Sequence, residues 1–490
     1  MLILLISVLL PILAGTVLFF IPCRTNEDDA TQPHAGFSRK AMCIYTAVIL
    51  IAELALVVSA LFIAPRDYIE LFSLTADLIL AFKLDSVGWL FATLFAVVWV
   101  CIGFYSFEYM KHEDNNKRYF STYLVILGVL IGLCFAGNLI TYYAFFELVT
   151  LGSFALVLHN QSKEAIMASM KYMFYSFAGA YMVLFGIFFV HMYAKDPSMA
   201  FSSAGVIGVL NEAPKNILMI SMLLMIMGFG VKAGLFPMHG WLPTAHPVAP
   251  APASVALSGI IVKAGVLGIL RVIYYVFGME YFSGSYVQTV VIILSLITVF
   301  IGSMLAFKEP VLKKRLAYST VSQVSYILFG LFVLDPYAQE GSILHVLIHA
   351  LIKGTLFLVA GAIIFKTGAT RVDELRGIGR RMPITMWCYT IVSLGLIGIP
   401  PFGGFTSKWF LGIGAIDSRI PVFCWLGPVI LLISALLTAG YLLPITINGF
   451  LPGKDYVEEE KCEPGLCMLI PIIIMTLLSV LIGLFPEVLL

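Results

Sequence analysis

Apolar residues along this chain come in runs of about twenty, cut by short segments rich in charge, proline or glycine. Runs of that length predict helices that cross a bilayer, since about 20 residues span its hydrocarbon core. Taken between their boundaries they number fourteen, near residues 2–21, 41–64, 85–109, 120–137, 139–158, 165–193, 216–235, 253–277, 285–307, 315–334, 341–365, 383–415, 422–450 and 466–487. The fold class expected is therefore an all-α polytopic membrane protein. The opening run, Leu2 to Ile21, lacks a basic leader and an A-x-A cleavage pattern, so it reads as a retained first helix rather than a signal peptide. The stretch from Arg66 to Lys83 is too polar to span and too apolar for a plain loop; it is expected at the outer interface as a hairpin or a surface helix. No block recurs at a short fixed period, which excludes a solenoid.

Composition narrows the class further. Of 490 residues, 60% are hydrophobic and 12% charged, against roughly 25% charged in a soluble domain. Fourteen spans leave no length for a soluble catalytic domain. A net charge of +1 gives no nucleic-acid footprint. The eight cysteines are dispersed, Cys43, Cys101, Cys134, Cys388 and Cys424 in apolar runs, and Cys462 and Cys467 lack zinc-type spacing. A disulfide is not expected.

Loop charges set an orientation. One side carries three Lys and Arg in 22–40, three in 111–119, Lys163, four in 308–315, five in 366–381, and Lys454 and Lys461, eighteen in all. The other, where both termini fall, carries five: Arg66, Lys83, Lys195, Lys215 and Arg419. The positive-inside rule then puts both termini outside the cytoplasm.

Five lysines interrupt the apolar runs: Lys171, Lys232, Lys263, Lys353 and Lys408. At about 2.5 to 3.5 kcal/mol for each central lysine, five cost roughly 12 kcal/mol or more, comparable to the stability of a whole domain. They persist only if their ammonium groups face a hydrated and partly paired interior. Snorkelling to the interface is the plain alternative for Lys171 and Lys408, and a weaker one for Lys232 and Lys263. Glu147 lies mid-span and is the expected ion partner of one of these lysines. Glu53, in the second span, reads as a lipid-boundary or subunit contact, whereas Asp85 and Glu108 sit at helix ends near water.

In the eleventh span His345, His349 and Lys353 are spaced i, i+4, i+8 and share one helical face. The pair lacks the zincin glutamate and an evident third ligand, so no metal is expected. His239 and His246 follow the seventh span, as relay members or as exposed turn histidines. Two spans are interrupted. Pro237 cannot bond to the Ala233 carbonyl, and Pro400, Pro401, Gly403 and Gly404 break the twelfth span just before Lys408. A basic residue beside a broken helix in each half, five spans apart, is the pattern of a transporter with two five-helix repeats, spans 4–8 and 9–13. The breaks are not expected to match residue for residue, since Lys232 precedes its proline and Lys408 follows its pair. The expected division is 1–119, 120–284, 285–451 and 452–490.

The segments FFELVTLGSFAL, KAGLFPMHGWLPTAHPVAPAPASVALSGIIVKAG, KKRLAYSTVSQVSYILFGL, HALIKGTLFLVAG, DELRGIGRRMP and GIPPFGGFTSKWFLG give the chain a resemblance over roughly residues 85–450. It resembles the antiporter-like subunits shared by respiratory complex I, Mrp-type sodium/proton antiporters and energy-converting membrane-bound hydrogenases. The resemblance implies fourteen helices, two inverted repeats, broken seventh and twelfth helices and a mid-membrane row of charges. It assigns Glu147 and Lys232 to an ion pair, Lys263 to the central lysine, His345 and His349 to a relay, and Lys408 to the exit; Lys171 and Lys353 match further basic positions. The chain ends soon after its fourteenth span, without the lateral helix of the longest complex I type, so it looks more like the Mrp D, hydrogenase, M or N types.

The function expected is proton translocation inside a multisubunit respiratory assembly in a prokaryotic cell membrane, with homologous subunits and small membrane subunits as partners and no cofactor in this chain. Direct Na⁺/H⁺ exchange is one alternative, and a stand-alone solute carrier another. A membrane redox enzyme would need haem, quinone or cluster ligands that the sequence does not offer.

Overall fold

The computed structural model of the chain describes residues 2–22, 37–64, 67–73, 75, 78–207, 215–457 and 459–488; Arg66 lies outside them. Helices α1 (Leu2–Phe20), α2 (Arg39–Ile63), α3 (Ser86–Tyr109), α4 (Asn116–Cys134), α5 (Leu139–Val157) and α6 (Lys163–Tyr193) come first. Helix α7 (Lys215–Ala233) continues past a break into the short α8 (Leu242–Val248), and α9 runs from Ala251 to Phe277. Then follow α10 (Tyr286–Lys308), α11 (Leu312–Val333), α12 (Pro336–Thr367), α13 (Pro383–Ile397), α14 (Gly403–Asp417), α15 (Phe423–Phe450) and α16 (Leu466–Leu484).

Among the described residues, thirteen helical segments are long and apolar enough to cross a membrane, α7 and α8 counting as one. The expected twelfth span is instead the two shorter helices α13 and α14. The protein is thus a multi-pass, nearly all-helical membrane protein. Burial grades inward: over its most apolar stretch α9 is wholly enclosed by its neighbours, α11 and α12 nearly so, whereas α2 and α15 show most of theirs to the outside. Two stretches of α9, Ala256–Ile261 and Val272–Phe277, are π-helical.

The interfacial segment is a hairpin, β1 (Ile69–Ser73) antiparallel to β2 (Ile79–Phe82), with Ile69 opposite Phe82. It docks on the α4–α5 turn, where Gly137 N–H donates to the Ala81 carbonyl (2.8 Å) and Lys83 N–H to that of Phe135 (2.9 Å). Asn138 fastens the junction. Its amide donates to the Ile79 carbonyl (2.7 Å) and the Tyr68 hydroxyl (2.9 Å), while its side-chain oxygen caps α5 at Thr141 N–H (2.8 Å).

The two breaks share one cap geometry, although the lysines beside them stand at non-equivalent positions, as expected, Lys232 before its glycine and Lys408 after its own. Helix α7 ends with Gly234 at φ +80°, Gly234 N–H on the Val231 carbonyl (3.3 Å) and Leu235 N–H on that of Gly230 (2.9 Å). Helix α13 ends with Gly398 at φ +94°, Gly398 N–H on the Gly395 carbonyl (3.2 Å) and Ile399 N–H on that of Leu394 (3.1 Å). Both are Schellman caps, which need a left-handed residue that glycine adopts without strain. Each is followed, three residues on, by a cis X-Pro bond, Phe236–Pro237 and Pro400–Pro401. The glycine stops each helix before the proline is reached, and counting from it makes the correspondence visible. Past the second break, a Cβ at Gly404 would overlap the Gly395 carbonyl oxygen, so only glycine lets α14 start this close to α13.

Candidate functional site

Lys232 is the penultimate residue of α7, where the unpaired carbonyls of a helix C-terminus favour a cation. It is 1% exposed. Its ammonium donates to the Phe146 carbonyl (3.0 Å) and the Thr150 hydroxyl on α5, and lies 3.7 Å from the Phe146 ring centroid. The expected ion pair with Glu147 is not closed: no salt bridge joins them among the described residues, and Glu147 Oε1 is buried without a hydrogen-bond partner. Glu147 is one residue from Phe146 on α5, and the carbonyl and hydroxyl on either side of it hold the ammonium instead. At the break, Trp241 Nε1 donates to the Val231 carbonyl at 2.8 Å.

Lys263 sits in α9 directly after its first π-helical stretch, 0% exposed. Its Nζ donates to the Ser258 carbonyl at 2.7 Å and meets His349 Nδ1 at 2.7 Å. Gly265 allows this placement: a Cβ there would come within 2.5 Å of the Phe229 carbonyl oxygen, so α9 lies against α7 beside Lys232. Among the described residues no hydrogen bond links Lys232 to Lys263. Beyond Lys263 the polar string continues through one side of α12. The His349 and His345 rings are 6.0 Å apart, His345 Nδ1 meets Ser407 Oγ at 2.9 Å, and Tyr326 stacks on His345 at 5.7 Å.

Lys408, next to Ser407 on α14, turns back to the first half of the broken span. Its Nζ donates to the Leu396 (2.6 Å) and Ile397 (3.0 Å) carbonyls at the end of α13 and lies 5.1 Å from the Tyr326 ring. A lysine thus stands beside each broken helix, but in different roles: Lys232 reaches from the end of α7 to α5, whereas Lys408 reaches across the break to the open end of α13. Lys353, one turn beyond His349, is buried and donates to the Leu316 carbonyl at 3.2 Å.

The accessory candidates separate. His246 is 0% exposed, stacked on Phe357 at 4.8 Å, with neither ring nitrogen hydrogen-bonded, which removes the exposed-turn reading for it. His239 is half-buried and stacks on Phe236. Lys171, partly exposed on α6, places its ammonium beside Gly240 in the turn after α7, near the Tyr175 hydroxyl. Glu53 is 0% exposed with both oxygens unpartnered, so it is neither at the lipid boundary nor on an outer contact surface. It lies on the face of α2 that carries Leu50, and Leu50 packs on Gly103 of α3.

Four contributors escaped the sequence reading. Thr150 and the Phe146 carbonyl receive Lys232, and Ser407 joins His345 to the neighbourhood of Lys408. Their sequence signal is nearness to a charged residue, Phe146 and Ser407 adjacent to Glu147 and Lys408, and Thr150 one turn beyond Glu147. The fourth is Arg271, 1% exposed, paired bidentately with Asp85 and flanked by the Phe201 and Tyr275 rings. Asp85 is therefore not simply a helix-end residue near water. Burial alone would raise its carboxyl pKa, but the Arg271 guanidinium holds it below the ordinary value. Lys313, counted among the loop charges, is buried and donates to the Ala249 carbonyl at 2.5 Å. No group of three or more potential metal-binding side chains occurs among the described residues, and the seven described cysteines are free thiols.

A membrane bundle with two broken helices and a buried lysine–histidine string defines the class. The chain matches the sequence profile "NADH:quinone oxidoreductase/Mrp antiporter, TM" over residues 136–450, and "NADH-Ubiquinone oxidoreductase (complex I), chain 5 N-terminus" over 72–120. It is 31% identical to NADH-quinone oxidoreductase subunit N of Desulforudis audaxviator across 78% of this chain and 77% of that one. It is also 31% identical to hydrogenase-4 component B of Escherichia coli K12, across 84% of this chain and 62% of that longer protein. A chain in the structure of the Mrp complex from Dietzia sp. shares its fold, with TM-score 0.82 at 21% identity, covering 99% of this chain and 95% of that one. The protein belongs to the NADH:quinone oxidoreductase/Mrp antiporter transmembrane family.

Proposed function

We propose that the chain is the proton-translocating, antiporter-like subunit of a multisubunit respiratory or antiporter complex, and that Glu147, Lys232, Lys263, His345, His349, Lys353 and Lys408 carry the proton. The observation that supports this most directly is the run from Lys263 through His349 and His345 to Ser407 beside Lys408, enclosed in helices that exclude lipid. Lys232 stands at its head in a position where it is held by Thr150 rather than by Glu147. Swinging the ammonium to Glu147 and back would change how readily it gives up a proton to Lys263. A conformational push from a neighbouring subunit would set that balance.

Protons are favoured over Na⁺ by the ligands available. A desolvated sodium ion needs several oxygens, and the carbonyls freed at the second break are already taken by the Lys408 ammonium. The matched caps support a pair of repeats over 120–284 and 285–451, with 1–119 and 452–490 outside them. The charge asymmetry of the loops supports termini on the non-cytoplasmic side of a prokaryotic membrane. On the cytoplasmic side in that orientation, Lys313 stands one turn along α11 from Leu316, whose carbonyl receives Lys353, and the two lysines would make a route for uptake.

Glu147→Gln and Lys232→Ala, made in the host assembly and assayed in membrane vesicles, should each abolish coupled proton movement while the complex still assembles. Normal pumping in both variants would refute the scheme.

A further inference from the structure

A cavity of about 570 Å³ opens at the membrane face where α3 and α5 begin, within the ~300–1,000 Å³ range of small-ligand sites. Lys83, Asp85, Lys195, Asp196, Phe201 and Tyr275 are among its walls. Its two acids are already engaged. Asp85 is bound by Arg271 and by Gly88 N–H (2.7 Å), and Asp196 accepts from Ser198 N–H (3.0 Å) and Oγ (2.5 Å). Its two lysines are not: neither forms an ion pair among the described residues, and Lys83 has only a 3.5 Å contact to the Phe201 carbonyl. This face holds only five basic loop residues, yet two of them, far apart in sequence, converge on one cavity.

The surroundings identify what two free ammonium groups would meet here. Along α6, Tyr181, Phe185, Phe188 and Met192 form an exposed apolar row that runs up to Lys195. A soluble anion has no use for such a row, whereas an acyl chain lies along it naturally. We infer that the cavity binds the phosphate of an anionic phospholipid, held between Lys83 and Lys195 with one acyl chain along the outer end of α6.

The test is photolabelling of native membranes containing the full chain in its assembly, using phosphatidylglycerol with a photoactivatable acyl chain. Label is expected on the C-terminal part of α6 and on residues 194–207. The Lys83→Gln/Lys195→Gln double variant should lower it about 30-fold, from ~1 kcal/mol per lysine near an anionic headgroup. Lys83→Arg/Lys195→Arg should retain it, and so should Lys215→Gln, on the same face but outside the cavity. Undiminished labelling of the double glutamine variant overturns the inference. So does displacement by millimolar inorganic phosphate, which would make the site one for the free anion. So does absence of label together with lysine-directed crosslinking of Lys195 to another polypeptide, which would make it a protein contact.

Discussion

Replacing Thr150 by valine keeps the shape of the side chain and removes one acceptor from the Lys232 ammonium. The structure gives that ammonium two hydrogen-bond acceptors, the Thr150 hydroxyl and the Phe146 carbonyl, together with the face of the Phe146 ring. A hydrogen bond to a charged group contributes roughly 1.5–3 kcal/mol. Taking about 2 kcal/mol, the substitution shifts the balance between the Thr150-held and Glu147-paired positions about 30-fold toward Glu147. A lysine held by a carboxylate is a poorer proton donor, so proton movement should slow by the order of tenfold or more. The assay is the initial rate of acidification of inside-out vesicles, read with a fluorescent amine dye at equal amounts of assembled complex. Thr150→Ser, which keeps the hydroxyl, should stay near the wild-type rate. If the valine variant pumps like wild type, Thr150 does not set the position of Lys232, and the two-position account of the site fails.

Two further outcomes follow from charges outside the string. Asp85→Asn leaves the Arg271 guanidinium buried and unneutralised, at a cost of about 3–5 kcal/mol; a clear drop in melting temperature in detergent is expected, largely recovered by adding Arg271→Met, and an unchanged melt would contradict it. His159, in the α5–α6 loop, is packed on Tyr119 with its ring nitrogen 3.1 Å from the Asp114 carbonyl, and burial, then the nearby Arg118, lowers its pKa to about 4. Its folded value lies below the unfolded ~6.5, so the loop's contribution is complete above that pH and is lost progressively down to about 4. His159→Gln should flatten the fall of thermal stability across that window; an identical pH profile would rule the histidine out as its source.

The long apolar runs made nearly every helix readable, because the bilayer demands about twenty apolar residues whatever their order. The lysines were readable for the converse reason, since a charge in such a run is conspicuous. The partners were not. Phe146, Glu147 and Thr150 occupy one stretch of α5, and no spacing rule says which of three acceptors an ammonium from another helix will choose. The Arg271–Asp85 pair joins residues 186 positions apart, each ordinary in its own segment. The stretch after Arg66 stayed ambiguous between helix and hairpin, because Asn138 and the α4–α5 turn, remote in sequence, supply the hydrogen bonds that select the hairpin. The shared cap geometry of the breaks does not show in the positions of proline and lysine, because the residue that stops each helix is a glycine further upstream.

Helix α9 holds a consequence for how the protein is made. Its most apolar window has a mean hydropathy of 2.0, enough for insertion, yet none of that window touches lipid once the fold is complete. Contact with lipid is thus confined to biogenesis, before the neighbours of this stretch close around it. Polar replacements there should therefore act on the nascent chain as well as on the mature core, and an apparent loss of transport in such variants would first need to be separated from failed integration.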